Sequence, residues 1–592
     1  MSSKRYLDLN NPKDLEIAHK ILFNDGEEEL NHEELDETED EEDSLERCEL
    51  PSDTENNFSD SESEGDDFNS EGNNFIGRDK STVWAKSMGR KNVKRRAHNI
   101  ITKLPGVIGA AKNVRTIYDS WNCFFTDEIL DIIVTNTNRY ISTIRRNFSR
   151  ERDARDTDRI EIKAVIGLLY LAGLLRSNRQ ILEELWSTEG MGVEMFRTVM
   201  SLKRFKFLLR CFRFDNKETR DERKKLDKLA PVREIFDLFV ENCKKNYCMG
   251  QNVTIDEKLE GFRGKCPFRQ YIPSKPNKYG IKIFAMVDAK VLYTLNLEIY
   301  AGKQPEGPYN VSNAASDVVL RLARPIFNSG RNITADNWFT SIELIKKLKE
   351  KKLSYVGTLR KNKKEIPPCF VQTKERKVYS SLFGFSEACT LVSYIPKKTK
   401  NVLLASSMHM DDSIDCETGE ERKPEIITFY NDTKFGVDAL DKMCGTYNCA
   451  RNTRRWPMVI FYSMLNISAI NGLVVFLGNQ NFIKNRREYL RDLVKELTDE
   501  EITRRLTKTN LSRDLQRKLE NYKPSPEHKN AVKSPNITNK RKRCITCYGV
   551  KKSRMTQYSC TKCNEYFCLE HAVMICKKCS EEEPQVAYDS DE

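Results

Sequence analysis

The sequence predicts a multidomain α+β protein. A mixed β-sheet flanked by helices is set within a mainly helical region and followed by a cysteine-rich module. Three observations carry this reading. Helical periodicity dominates residues 117–247; the β-branched and aromatic runs NVTID, YGIKIFAMVD and VLYTLNLEIY follow Met249; and seven of the 18 cysteines crowd into residues 544–579. At 592 residues the chain has the length for several domains of roughly 100–200 residues each.

Residues 1–115 are expected to form a disordered acidic tail and a basic arm. Residues 27–67 hold 21 acidic residues against one basic residue, Arg47, with few apolar anchors to repay the entropy of ordering. Serines beside acids in SDSESEGDD are candidates for phosphorylation. The arm that follows carries Arg78, Lys80, Lys86, Arg90, Lys91, Lys94, Arg95 and Arg96. Removing the acidic segment's net −20 from the formal +11 leaves +31 on the remainder, which suits a polyanion such as nucleic acid, or an anionic membrane surface. No basic-then-apolar leader opens the sequence, so an intracellular protein is expected.

Residues 116–250 read as the first part of a helical domain. TDEILDIIVTNTNRYI opens with Thr126 as N-cap, IEIKAVIGLLYLAGLL is apolar enough for burial, and RFKFLLRCFRF alternates basic and apolar residues. Residues 251–361 supply three strands, a helical run at 316–326, the short strand RNITAD, the helix IELIKKLKEKK and the strand SYVGTLR. This β-β-β-α-β-α-β order implies a mixed sheet. Residues 362–425 break the regularity and read as an insertion, and 426–448 return to the sheet domain. Residues 449–525 complete the helical domain, 526–543 form a basic linker, and 544–580 form the cysteine-rich domain. The uncharged stretch 457–483 is long enough to span a bilayer, but Ser463, Asn466, Ser468 and Asn471 point around several sides of that helix; a buried core helix, with no membrane, is the expectation.

Acids fall at element ends in the sheet domain. Asp256 ends NVTID, and Asp336 ends RNITAD. In KFGVDALDKMC, Asp438 and Asp441 sit three residues apart along the border of an apolar stripe formed by Val437, Leu440 and Cys444, with Asn431, Asp432 or Thr433 as candidate caps. Like charges beside an apolar face need a cation, which could be a lysine, an arginine or a divalent metal. Carboxylates converging from two strands and a helix suit Mg²⁺ or Mn²⁺, and two such ions can run phosphoryl transfer.

Several long motifs then carry a specific resemblance. TIDEKLEGFRGKCPFRQYIPSKPNKYGIKI, NITADNWFTSIEL, VGTLRKNKKEIP, and YNDTKFGVDALDKMC with RNTRRWPM resemble the piggyBac family of cut-and-paste DNA transposases, over most of residues 117–579. The resemblance implies an RNase H-like catalytic domain. It places the catalytic, magnesium-binding acids at Asp256, Asp336 and Asp438, with Asp441 as an auxiliary fourth. It implies nicking of the transposon end, hairpin formation and resolution, and joining to TTAA sites, by a homodimer acting on double-stranded DNA. Arg360 and Lys363 align with target-DNA contacts, the alternative being a solvated basic loop. Trp456 beside Arg454 and Arg455 could stack on an unpaired base or simply pack. A domesticated, non-catalytic descendant that binds DNA or chromatin is the second reading. A zinc-finger ubiquitin ligase or chromatin reader is the third.

The tail offers Cys544, Cys547, Cys560, Cys563, Cys568, His571, Cys576 and Cys579 as four ligand pairs, enough for two structural Zn²⁺ ions. Short loops favour a cross-braced arrangement, with Cys544, Cys547, Cys568 and His571 on one ion and Cys560, Cys563, Cys576 and Cys579 on the other; a sequential pairing stays open. By resemblance this module binds the terminal inverted repeats. The preceding NKRKR reads as a nuclear localisation signal or a phosphate-binding arm.

Overall fold

In the computed structural model the run NVTIDEKLEG becomes β1 (Asn252–Gly261). It pairs antiparallel along its length with β2 (Tyr279–Asp288), from Val253 opposite Asp288 to Gly261 opposite Gly280. β3 (Thr294–Ile299) pairs antiparallel with the other edge of β2. Helix α1 (Ala315–Ala323) then leads to β4 (Asn332–Ala335), which runs parallel to β1. Helix α2 (Ile342–Glu350) leads to β5 (Ser354–Thr358), parallel to β4. The spatial order β3-β2-β1-β4-β5, with β4 and β5 parallel to β1, is that of an RNase H-like fold. Val253, Ile255, Ile333, Tyr355 and Val356 are wholly buried along it, which is why these strands are β-branched and aromatic.

The structure describes residues 16–17, 72–87, 100–273, 275–480, 484–509, 511–522, 537–544, 546–547, 554–558 and 566–571. They fall in two units, Met1–Glu520 and Asn521–Glu592.

Residues 362–425, read as an insertion, extend this sheet. β6 (Ser381–Phe385), β7 (Thr390–Lys397) and β8 (Lys400–Ser406) form an antiparallel meander, and β8 pairs with β5. The free edge of β5 would otherwise expose unpaired backbone groups, and β8 satisfies them. The sheet continues into a hairpin of Asn74–Ile76 and Val83–Ala85, within the stretch expected to be a disordered arm. Residues 100–107 are ordered too: Arg331 donates to the Lys103 carbonyl at 3.0 Å, and Gly106–Val107 pairs with Tyr247–Cys248.

Helix α3 (Glu425–Thr433) precedes α4 (Gly436–Thr446). Asn431, Asp432 and Thr433, the expected caps of α4, therefore lie inside α3, and the N-cap of α4 is Phe435, without a side-chain cap. Thr433 has a different duty. Its carbonyl accepts from the Thr254 hydroxyl at 2.7 Å and its own hydroxyl lies 2.8 Å from that of Thr334, so the α3–α4 corner is tied to β1 and β4. A Cβ at Gly436 would come within 2.5 Å of the Thr254 hydroxyl, so glycine lets α4 press onto β1.

The helical regions before and after the sheet pack on each other. The rings of Phe125, Phe212 and Phe214 surround Phe461, with centroids 5.0–5.8 Å away. Phe461 lies on α5 (Trp456–Asn479), which is long and apolar enough to cross a membrane but has its whole apolar window buried inside the fold. Its polar residues find partners there: Asn471 accepts from the Thr294 N–H and donates to the Thr294 carbonyl, each at 2.9 Å, and Asn466 accepts from the Cys449 N–H at 3.1 Å. Thr126 occupies the N-cap of Asp127–Ile144, as expected, and its carbonyl accepts from Leu130 at 3.1 Å.

In the second unit Ile537–Arg543 forms a strand paired with Met555–Tyr558. The NKRKR run assigned to a linker is thus part of a folded ribbon.

Candidate functional site

The parallel register sets Ile255 beside Ala335, so Asp256 and Asp336, the next residue on each chain, lie on neighbouring backbones about 4.8 Å apart. The Asp256 carboxylate accepts from the Glu257 N–H at 2.7 Å. That of Asp336 accepts from the Trp338 and Phe339 N–H groups at 2.9 and 3.4 Å. Burial, then Glu257 and Asp336, push the Asp256 carboxyl well above its ordinary value. Burial and Glu257 raise Asp336 to about 6, against the pull of those two N–H groups and Arg360. Such crowding of half-buried carboxylates disfavours their ionised forms.

This crowding has a stability consequence. With the folded value at about 6 and the unfolded one at 3.8, the native state holds the Asp336 proton more tightly, so stability falls as pH rises through that window. Asp336→Asn is expected to stabilise metal-free protein at pH 7 by about 1–2 kcal/mol and to flatten the pH 4–6 dependence, as read by thermal melts across that range.

Helix α4 brings Asp438 and Asp441 to the same strand face. Lysines answer both. Lys275 Nζ donates to Asp438 Oδ1 at 3.0 Å, and Lys258 Nζ donates to Asp441 Oδ1 at 2.7 Å while reaching Glu260 at 2.9 Å. Lys258 is only 3% exposed; burial opposes its charge, but Cys444, Glu260 and Asp441 outweigh burial and hold it protonated. Burial likewise opposes the Lys275 ammonium, and Asp256 and Asp438 more than compensate. Asp438 is about half exposed. Lys258→Met would leave two acids facing an apolar side chain and is expected to cost about 3 kcal/mol or more in urea denaturation. Asp441→Asn, which retains an acceptor and leaves Glu260 on the lysine, is expected to cost about 1 kcal/mol.

The donor set fits a hard divalent cation. Asp256, Asp336 and Asp438 offer only oxygen ligands, the first two with their charged forms disfavoured by burial and Glu257, although without an ion the three are not drawn together as closely as the cysteine set described below. Sequence reasoning missed Lys258, Lys275 and Glu257. Lys258 was findable, because it lies two residues beyond Asp256 and shares its strand face. Lys275 lies in a loop with no periodic signal.

Arg360 donates to the Asn337 side chain at 3.2 Å, which places its guanidinium beside the Asp336 turn. Arg360 and Lys363 line a cavity of about 530 Å³ together with Asn337 and Trp338. Of the RRWPM residues, Arg454 is exposed. Arg455, expected on DNA, turns inward: it donates to the carbonyls of Leu209, at 3.2 Å, Arg210, at 3.1 Å, and Phe212 at the end of Leu202–Cys211. The orphan carbonyls of a helix C-terminus attract a cation, so Arg455 stitches the helical regions together. Trp456 packs edge-on to Phe268, with centroids 5.0 Å apart.

Among the described residues one set gathers as metal ligands do. The ligand atoms of Cys544, Cys547, Cys568 and His571 all lie within 4.8 Å of one another, and Cys568 Sγ is 3.3 Å from His571 Nδ1. The first and third ligand pairs meet, as cross-bracing requires. Cys560, Cys563, Cys576 and Cys579 lie outside the described residues. The soft sulfur and imidazole donors fit zinc. The ribbon sets the spacing: the Cys544 N–H donates to the Arg554 carbonyl at 2.9 Å, and Thr556 to that of Phe567 at 2.9 Å.

Asp256, expected to end its strand, lies midway along β1, which runs on to Gly261 against β2, at the point where the β4 ladder stops. An RNase H-like sheet with Asp256 there, Asp336 just past the end of β4, and a facing helix that adds two more acids, is the frame of a polynucleotidyl transferase. Residues 117–473 match the family model described as Transposase IS4. A solved piggyBac transposase synaptic complex with hairpin DNA is 38% identical, with a TM-score of 0.68, covering 80% of this chain and 100% of that one. The chain belongs to the piggyBac family of transposases. Two human proteins, PiggyBac transposable element-derived protein 3 and protein 2, are 20% and 21% identical over 385 and 351 residues. Those matches take in 60% and 56% of this chain, which spans 60% and 57% of the two relatives' lengths.

Proposed function

We propose that the chain is an active cut-and-paste transposase that excises an element at its terminal repeats and joins it to TTAA sites. The observation that carries this is the placing of Asp256, inside β1, and Asp336, just past β4, on neighbouring backbones where the β1–β4 ladder stops, with Asp438 reached through Lys275. Bound there, two Mg²⁺ or Mn²⁺ ions would supply the charge that activates an attacking oxygen and stabilises a leaving one. Asp256, Asp336 and Asp438 would hold them, and Asp441 fixes the face of α4 through Lys258. Arg360 and Lys363 neutralise target-DNA phosphates beside Asp336. Arg454 and Trp456 meet the DNA backbone and an unpaired base, while Arg455 keeps that segment in place from behind. The cysteine module, loaded with two Zn²⁺ ions, reads the terminal repeats. Two ends must be held together, so the working form is a homodimer, acting in the nucleus with NKRKR as import signal.

The test is excision of a marker flanked by matched terminal repeats. Excision followed by reinsertion at TTAA supports the reading, and absence of excision with any related ends overturns it. A second reading, a transposase-derived protein that binds DNA without cutting it, is favoured by the two human relatives named as transposable element-derived. Repeat binding without excision would select it.

A further inference from the structure

The hairpin formed by residues 72–87 is built onto one loop, residues 361–365. Trp84 is wholly buried, and its indole N–H donates to the Glu365 carbonyl at 2.9 Å. The Arg78 guanidinium donates to the carbonyls of Lys361 and, at 2.7 Å, Lys363, while the Asp79 N–H donates to the Lys364 carbonyl at 2.9 Å. A Cβ at Gly77 would meet the Glu365 carbonyl at 2.8 Å, so the two backbones are in close contact. Phe75 packs edge-on to Phe370 at 5.2 Å, and Ala85 pairs with Phe385 on β6. Four carbonyls of the loop thus face the hairpin. The loop also lines the cavity shared with Asn337, Trp338 and Arg360, next to Asp336, through Asn362, Lys363, Lys364 and Glu365. A loop carrying lysines at 361, 363 and 364 repels itself, and these hydrogen bonds give it one shape.

We propose that the hairpin of residues 72–87 is a clamp that positions loop 361–365 for DNA, so that it serves target joining rather than end cleavage. The division of labour rests on reading Arg360 and Lys363 as target contacts; the clamp itself rests on the hydrogen bonds. Arg78 and Trp84 are positioning residues, acting through the loop. The volume of about 530 Å³ accommodates a nucleotide-sized group, and the hairpin contributes Asp79 to its wall.

The experiment compares full-length protein with Arg78→Ala and Trp84→Ala. Hydrogen exchange at residues 361–365 is expected to rise about tenfold in both variants, with exchange in β4 unchanged. Excision is expected to stay within about twofold, while integration per excision event falls about tenfold, because a misplaced phosphate contact costs positioning. Affinity for a TTAA duplex is expected to fall with it, and affinity for terminal-repeat DNA to hold. Unchanged exchange at 361–365 overturns the clamp whether or not the protein transposes. Loosened exchange with equal loss of excision and integration overturns the assignment to target joining. Absence of excision by the parent protein would count against the proposed function alone, since exchange and TTAA-duplex binding still read the clamp.

Discussion

Asp256→Asn is expected to lower excision by about 10³-fold or more while leaving the fold and DNA binding intact. The size follows from what the position controls. Asp256 and Asp336 lie on neighbouring backbones about 4.8 Å apart through the parallel pairing of β1 with β4, and an amide there cannot balance a divalent cation's charge. Several kcal/mol of charge stabilisation at the reacting phosphate, at about 1.4 kcal/mol per tenfold, gives that factor. The fold should survive because the Asp256 carboxyl is held above its ordinary value by burial, Glu257 and Asp336, so losing its charge relieves the native state. The measurement pairs an excision assay with a thermal melt. Excision equal to wild type would move the chemistry elsewhere; a melt lowered by many degrees would recast Asp256 as structural.

The sheet and its acids were legible because their signals are local. β-branched runs gave β1 to β5, and the order of strands and helices gave a mixed sheet, since parallel β1–β4 and β4–β5 pairs need helical crossovers. Acids stood out against apolar runs, although Asp256, expected to end its strand, lies inside β1, because EKLEG continues the pairing with β2 as far as Gly261. What stayed hidden depends on long-range pairing. Nothing in KNKKEIPP announces that the following meander completes the free edge of β5, and a stretch rich in Arg and Lys conceals that Phe75 and Trp84 anchor a hairpin. Arg455 illustrates the same limit: its neighbours suggest DNA, but three carbonyls from a helix some 240 residues earlier claim it. The caps expected for α4 failed because helical sequence continues through Asn431–Thr433 into the corner that Thr433 ties to β1 and β4.

Cys568→Ser is expected to unfold the cysteine-rich module and to abolish terminal-repeat recognition, with α-helical and sheet content of residues 116–520 preserved. Cys568 belongs to the third ligand pair, which closes on the first: its sulfur lies 3.8 Å from Cys547 Sγ and 3.3 Å from His571 Nδ1. A module of this size has few apolar residues, so a bound metal would supply its folding free energy, on the order of 10–16 kcal/mol for a structural zinc site. A weaker oxygen ligand in place of a thiolate removes enough of that to shift the balance to the unfolded chain. The ribbon of Ile537–Arg543 with Met555–Tyr558 should fray with it, because Cys544 directly follows the first strand and its N–H bonds across to Arg554. Two measurements check this. Metal content per chain should fall, and backbone signals of residues 537–571 should collapse to unfolded positions. Terminal-repeat binding should then drop to the salt-sensitive, non-specific level that the basic body alone supports. A variant that keeps native signals after chelation would remove metal from the account of this module, and specific repeat binding by an unfolded module would move recognition to the helical region.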